Sequence, residues 1–385
     1  MKKIENLSLD SFSPICVLGK GSYAHVLLVE AEGVPCHNET TKNFALKMID
    51  KTDIEFRKME DSVFRERDIL VRLRESPFVT SLLASFQGDQ EANFLLEFCP
   101  GGDLFERLSV QGPFKETHAR FYVGQIALAL HHIHKHGVVF RDLKPENILI
   151  DAQGYLKLAD FGCSTTELTG LSGLVGTPEY MAPEMVRDYR EKSGYDFRVD
   201  WWALGCFMFE ALSGRAPFFS KNRKNLYEMI EKKRPEFLTK MSKDAKNLLT
   251  NLLHKSPEKR FKFEDIKNHA WFKGFDWELL EKRKMKAPWV PEIEEDFGIK
   301  NFNKKFVEMD FDGINCGMSE GLWLEDFYFE SPEVEWIRRD DSTPKSEVDY
   351  EEFASEEDTD DEEELGRCGS FSDFDELEWN QQCWD

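Results

Sequence analysis

The chain lacks any apolar run approaching the roughly 18 residues that a membrane-spanning helix needs, and its start, MKKIENLSLD, has no hydrophobic stretch of the signal-peptide kind. The expectation is a soluble, intracellular chain without a membrane partner. Cysteine pairing is missing too. The eight cysteines (Cys16, Cys36, Cys99, Cys163, Cys206, Cys316, Cys368, Cys383) form no Cys-x-x-Cys pair and no even ladder of spacings. That argues against a zinc site or a disulfide framework and for reduced, unpaired thiols. There is no internal repeat. Positive charge is not in excess: the formal net charge is −23, yet residues 287–385 hold 32 Asp and Glu against 7 Lys and Arg, leaving 41 against 43 in residues 1–286. The acidity belongs to a tail, and the nearly neutral remainder offers no basic footprint for nucleic acid.

What is present suits a globular body. At 385 residues and 41% hydrophobic content the chain can build one large or two medium domains with sizeable cores. PICVLG, HVLLVEA and FALKMI predict three strands within residues 12–50, and Ile54 to Arg74 predicts a helix with Phe56, Val63, Ile69, Leu70 and Leu73 on its apolar side. NFLLEFCPGGDL ends a further strand at Pro100-Gly101-Gly102, a hinge between a small first lobe and a helix-rich second one. ARFYVGQIALALHHIHKH, RVDWWALGCFMFEALSG and KDAKNLLTNLLHK supply its helices. DWELLEKRKMKAPWVPEI and KNFNKKF keep aromatic anchors, whereas Asp340 to Arg367 is too acidic and polar to order alone.

Four stretches carry chemistry. GKGSYAHV, Gly19 to Val26, is a glycine turn between two strands; it suits an approach to phosphate oxygens and equally an ordinary hairpin. Lys47 ends a buried strand, where a lysine is commonly an edge residue. In FRDLKPENILI, a proline breaks helical geometry so that Asp142, Lys144 and Asn147 can converge. Asp142 can take a hydroxyl proton, Lys144 can neutralise a transferring phosphoryl, and Asn147 can offer an oxygen to a metal. In ADFG, Asp160 adds a second oxygen ligand for a hard cation such as Mg²⁺. DFGCSTTELTGLSGLVGTPEY, Asp160 to Tyr180, is a loop anchored at both ends. Two bland readings belong beside these. HHIHKH, residues 131–136, ends a helix with its polar side chains toward solvent and is not a metal cluster, and Cys163, without a basic neighbour, is an inert small residue.

In this order the pieces resemble a protein kinase over roughly Phe12 to Phe306, and PGGDLFERL, HARFYVGQIALAL, GTPEYMAPE, VDWWALG and APWVP are similar to the AGC serine/threonine group. FDWELLEKRKMKAPWVP followed by NFNKKF looks most like the branch acting on ribosomal small-subunit protein. The resemblance implies an α+β bilobal kinase fold, with a lead at residues 1–11, a β-rich lobe at 12–98, a helical lobe at 99–275, a packing tail at 276–306 and an acidic tail at 307–385. It implies ATP as co-substrate, with Mg²⁺ held by Asn147 and Asp160, and Asp142, Lys144, Lys47 and Glu66 as catalytic residues. Leu18, Gly19, Gly21, Ser22, Val26, Ala45, Glu97, Cys99 and Leu149 would line the nucleotide site, with Leu96 as gatekeeper. By the same resemblance Glu184 would pair with Arg260 and Asp200 would brace the catalytic loop. Asp103, Glu146 and Glu210 would face arginines upstream of the target Ser or Thr, and Leu174, Pro178 and Met181 the residue after it. The expected partners are therefore basic protein substrates, met by a monomer in the cytoplasm, with the nucleus a second compartment open to it.

Three departures stand out: Ala24 replaces the third glycine of the loop, Phe140 replaces a usual His or Tyr, and Gly173 stands where related kinases carry a phosphorylated Thr. Arg141, the usual partner of that phosphate, is kept, while its two companion cations read Ser62 and Thr165. The expectation is activity that does not depend on phosphorylation at position 173, with Ser172 as the neighbouring switch that would overturn it. The other class of function for such a chain is a non-catalytic pseudokinase scaffold, against which the intact Lys47, Asp142, Asn147 and Asp160 speak. For the tail, Phe371 and Phe374 in GSFSDFDELEW, or YEEF at Tyr350 to Phe353, are the candidates to wrap back onto the first lobe, and a solvated acidic run is the bland alternative to both.

Overall fold

The β-rich first lobe begins with three strands, β1 (Phe12–Lys20), β2 (Ala24–Ala31) and β3 (Asn43–Asp50), whose β-branched and aromatic side chains alternate between the two faces of an antiparallel sheet. The computed structural model describes residues 7–21, 23–31, 43–237, 241–293, 297–309 and 322–331. After β3 the predicted single helix divides into α1 (Lys51–Arg57) and α2 (Glu60–Leu73). Asp50 caps α1 by accepting from the Thr52 amide, and Lys58, at φ 54, closes it in a left-handed turn that buries Met59. The division corrects the expected apolar face: Phe56, on α1, is 85% exposed, whereas Val63, Ile69, Leu70 and Leu73 on α2 are buried.

Strands β4 (Leu82–Gln87) and β5 (Glu91–Glu97) complete the inner sheet, and the chain then passes through Pro100 into α3 (Leu104–Gln111) and α4 (Glu116–Lys135). Short strands β6 (Ile148–Ile150) and β7 (Leu156–Leu158) pair as a ribbon. They are followed by β8 (Thr169–Leu171), α5 (Pro183–Glu191), β9 (Tyr195–Asp196), α6 (Val199–Ser213), α7 (Arg223–Lys232) and α8 (Lys243–Leu252). Helix α6 is apolar all round, with Trp201, Trp202, Leu204, Phe207 and Phe209 buried, so it forms the centre of the second lobe against α4 and α8. Short helices α9 (Phe263–Lys267), α10 (Trp277–Glu281) and α11 (Lys304–Val307) lead to a last strand, β10 (Phe329–Glu330). The sheet order is β1-β2-β3-β5-β4-β10, and β10 pairs antiparallel with β4.

Two apolar clusters hold the first lobe. One, with Phe12, Val17, Val29, Leu46, Phe86 and Leu95, covers one face of the sheet; the other runs from Ile49, Val63 and Phe94 into the core of the second lobe. Tail residues close both. Phe306 and Met309 pack on the first cluster, Phe302 stacks on Phe98 at 5.7 Å, and Trp289 lies under the Arg107 guanidinium at 4.2 Å.

Candidate active site

Register places the strand residues. Lys47 on β3 lies opposite Val26 on β2 and Phe94 on β5, while Ala45 lies opposite Leu28 and Leu96, so Val26, Ala45 and Lys47 sit on the two adjoining strands β2 and β3 of the sheet. The β1–β2 pairing slips between Val17 and Gly19, at Leu18, and the Gly21 amide donates to the Ala24 carbonyl at 2.8 Å to close the turn. A β-carbon at Gly19 would meet nothing within 4 Å, leaving open space beside the main chain. Ser22 lies outside the described residues. The hinge is clipped to the second lobe: the Gly101 amide donates to Ile150 O and the Ile150 amide to Gly102 O, each at 2.9 Å, and Asp103 bridges to Leu149. Cys99 is buried there, and the Glu97 carboxylate accepts from Lys157 Nζ and the Ser81 amide, each at 2.6 Å.

Below these strands the charged groups converge. Lys47 Nζ donates to Glu66 Oε1 on α2 at 2.7 Å and to Asp160 Oδ1 at 3.0 Å. Burial by itself would lower the Lys47 pKa, but Asp160 and Glu66 beside it raise it, so the ammonium is fixed. Lys47 in turn holds the Asp160 carboxyl below its ordinary value, and burial pushes Glu66 upward against the pull of Lys47. Asp160 sits at φ 59, a left-handed conformation kept by this network. Tyr23, at the tip of the glycine turn, was not anticipated: burial and then Asp160 raise its pKa, which sets its phenol among the same charges.

Across the cleft Asp142 is the hub. Its carboxylate accepts from Asn147 Nδ2 at 3.0 Å and from the amide and hydroxyl of Thr177 at 2.9 and 2.8 Å, and Lys144 Nζ lies 3.4 Å away. The Asn147 amide nitrogen is thus committed to Asp142, which leaves its oxygen as the atom to offer a ligand. Gly176 lets these loops meet: at φ 89, it stands where a β-carbon would come within 2.3 Å of Arg141 O. Asp200 on α6 accepts from the Phe140 and Arg141 amides at 2.9 and 2.8 Å, and Glu184 grips Arg260 through two bonds of 2.5 and 2.8 Å.

One residue of the histidine run is placed otherwise than expected. His134 is turned inward, bonding Asp200 Oδ2 at 2.8 Å and lying edge-on to Trp201. The signal was its position four residues after buried Leu130 on the same face of α4. Cys163 carries a free thiol whose pKa burial pushes far up, in keeping with an inert side chain.

Carboxylates gather on the second lobe beside Asp142. Tyr180 donates to Glu210 Oε2 at 2.5 Å; Glu210 and Glu179 are pushed up in pKa first by burial and then by the charge of Glu146, and Glu146 by burial and then by Asp142. Glu179, in the Gly-Thr-Pro-Glu turn, is the member that sequence reasoning missed. Burial raises Asp103 to about 6 while its carboxylate caps α3 by accepting from the Glu106 amide. Pro178 and Met181 are buried and Leu174 packs on the core beside them.

The family described as Protein kinase domain matches residues 12–272. The chain belongs to that family. Among curated proteins the kinase chain is similar to serine/threonine-protein kinase sgk-1 of Caenorhabditis elegans, 36% identical over 310 residues that cover 79% of this chain and 65% of that protein. It is also similar to ribosomal protein S6 kinase alpha-4 of Homo sapiens, 36% identical over 320 residues, covering 80% of this chain and 41% of that one. Serine/threonine-protein kinase Sgk1 of Xenopus tropicalis is 38% identical over 304 residues, covering 77% and 70%. The kinase chain thus spans under two thirds of the length of the first two relatives, and its likeness to all three sets it in the AGC group.

A tail segment also packs on this kinase chain's first lobe. Residues 322–331 lie on the first lobe: Phe327 is fully buried, edge-on to Phe94 at 5.4 Å and to Phe64 at 5.9 Å, and its carbonyl accepts from Ser85 Oγ at 2.5 Å. Gln87 exchanges bonds with the Leu324 main chain, and the Ser331 amide donates to Leu83 O at 2.8 Å. Phe371 with Phe374, and Tyr350 to Phe353, lie outside the described residues.

Proposed function

We propose that this kinase domain transfers the γ-phosphoryl group of ATP to Ser or Thr hydroxyls of proteins, choosing sites with upstream arginines. The observation that carries the reading is the simultaneous closure of the Lys47–Glu66–Asp160 group and the Asp142–Asn147–Lys144 group on opposite walls of one cleft. A Lys47 held charged suits binding of the α- and β-phosphates, and the backbone space at Gly19 suits phosphates under the glycine turn. Asp160, held ionised, and the oxygen of Asn147 form a two-oxygen set of the kind Mg²⁺ takes when phosphate oxygens complete its shell. Bound there, Mg²⁺ would offset the phosphate charge. Asp142 takes the proton of the attacking hydroxyl as its oxygen bonds to phosphorus and the bond to the β-phosphate oxygen breaks. Lys144 stabilises the charge on the transferring group, and Thr177 holds Asp142 in place. Glu97, Cys99, Leu96, Leu149 and Leu18 fit an adenine pocket, and Leu174, Pro178 and Met181 a pocket for the residue after the acceptor.

These clustered carboxylates support the arginine preference, because a guanidinium offsets their charge and relieves the repulsion that Glu146 exerts on Glu210 and Glu179. Replacing Glu146 or Glu210 by Gln is expected to remove about 1.5–3 kcal/mol of the preference for a peptide with arginines two and three residues before the acceptor over its alanine counterpart. Equal kcat/KM for both peptides in the unmodified protein would overturn the preference.

The same carboxylates set a pH dependence. Asp103, raised to about 6, is an anion above that value and is neutralised below it. The kcat/KM ratio of arginine to alanine peptide should therefore be highest above pH 7 and fall by about tenfold toward pH 5, as one unit below the pKa leaves roughly a tenth of the carboxyl ionised. A ratio that stays flat from pH 8 to 5 would count against Asp103 in this role.

A further inference from the structure

The loop from Cys163 to Thr177 has to hold Leu174 and Thr177 at the site, and Gly173, next to Leu174, has no side chain that could be modified to hold it. What meets Gly173 is Asp188 on α5. This carboxylate is fully buried, and it accepts from the Gly173 amide at 2.8 Å through Oδ2 and from the Gly194 amide at 2.6 Å through Oδ1. Its side-chain bonds among the described residues are to these two main-chain amides. Gly173 adopts φ 85 with open space where a β-carbon would stand, so it is the left-handed backbone that calls for glycine there. Two further ties flank the carboxylate: β8 pairs with β9, and the Tyr195 hydroxyl bonds Ser172 O at 3.2 Å. Arg141, from the catalytic loop, bonds Cys163 O at 2.7 Å and stands beside Tyr195.

We propose that Asp188 is a positioning residue that holds the activation segment in its working conformation without phosphorylation, acting through the Gly173 amide on the adjoining pocket of Leu174 and Pro178. Physically, a buried carboxylate is tolerable only while its hydrogen bonds are made. Any swing of the segment that takes the Gly173 amide away leaves half of the Asp188 charge unmatched in the interior, so the closed arrangement is favoured with no modification needed. Charge-assisted bonds of this length are among the stronger ones available to a loop. The exposed Ser172 adds only its main-chain carbonyl to the arrangement, so its hydroxyl is dispensable.

The inference rests on the kinase reading above, and the test separates the two. The full chain, treated with phosphatase and verified free of phosphate by mass spectrometry, is assayed on an arginine-bearing Ser peptide alongside Asp188→Asn, Tyr195→Phe and Ser172→Ala, with KM measured for peptide and ATP separately. The amide of Asn cannot accept the second main-chain N–H, so Asp188→Asn is expected to raise the peptide KM by about tenfold or more while the ATP KM stays within about twofold. Mere loss of folded protein would lower kcat and leave both KM values alone. Treated wild type and Ser172→Ala should match untreated wild type, and Tyr195→Phe should move in the direction of Asp188→Asn by a smaller factor. Amide hydrogen exchange over residues 169–175 gives a second reading: slow in the dephosphorylated wild type, fast in Asp188→Asn. Activity lost on phosphatase treatment, or a peptide KM and exchange rate unchanged in Asp188→Asn, overturns the proposal. Should wild type transfer no phosphate at all, the kinase reading fails, and the exchange comparison alone still decides whether Asp188 holds the segment.

Discussion

Asp142→Asn is expected to lower turnover by at least about a thousandfold, because it removes the proton acceptor and leaves an amide that cannot take up the hydroxyl proton. The fold should survive, since the replacement conserves volume and its oxygen can still accept from Thr177. Lys47→Met should cost a similar factor by another route. It removes the cation between Glu66 and Asp160, two buried carboxylates that then face each other unpaired. Glu66 can answer by taking a proton, which its burial already favours, so the loss should show in phosphotransfer more than in melting temperature. Turnover near that of the unmodified protein in either variant would contradict the assigned roles.

The second large effect is expected far from the reacting atoms. Phe327 is fully buried between α2 and the sheet, and Phe94, against which it packs, has the Lys47 ammonium 6.0 Å from its ring centre. Phe327→Ala leaves a cavity beside the helix that carries Glu66, at a cost of about 3–5 kcal/mol to the docked arrangement. Phosphotransfer should fall more than about tenfold, as a helix without its packing partner populates positions where Glu66 is out of reach of Lys47. Trp323→Ala in the same segment serves as the comparison: Trp323 is largely exposed, its ring interacting with Lys51 at 5.1 Å, and its loss should cost about 1 kcal/mol or less. Phe327→Ala with the melting temperature and activity of Trp323→Ala would show that the seated segment does not support the site.

These two predictions differ in how far the sequence foretold them. Lys47, Glu66, Asp142, Asn147 and Asp160 stood out because particular residue types recur at fixed places on strand, helix and loop; the structure brings Lys47 to Glu66 and Asn147 to Asp142 as expected, and adds Asp160, expected beside Asn147, to the Lys47 pair. Phe327 was not, because its value lies in a strand pairing between residues more than 200 positions apart, which local pattern does not report; the aromatic run in LWLEDFYFE was the available clue. Asp188 was missed for a related reason. Within RDYREKSG it has the look of one more surface charge, and its burial is decided by where Gly173 and Gly194 meet it. The break between α1 and α2 turns on Lys58 adopting a left-handed φ, a choice that tertiary burial of Met59 makes and propensity does not. His134 was misread because polar residues at a helix end usually face water, whereas this one lies on the stripe that meets α6.

The central claim is most directly tested by offering the phosphatase-treated 385-residue chain, with Mg²⁺ and γ-labelled ATP, an array of Ser and Thr peptides of varied sequence beside the same array offered to Asp142→Asn. The account predicts label on Ser and Thr peptides, concentrated on those with arginine two or three residues before the acceptor, and background alone with Asp142→Asn. Label no stronger than that of Asp142→Asn across the whole array would contradict it.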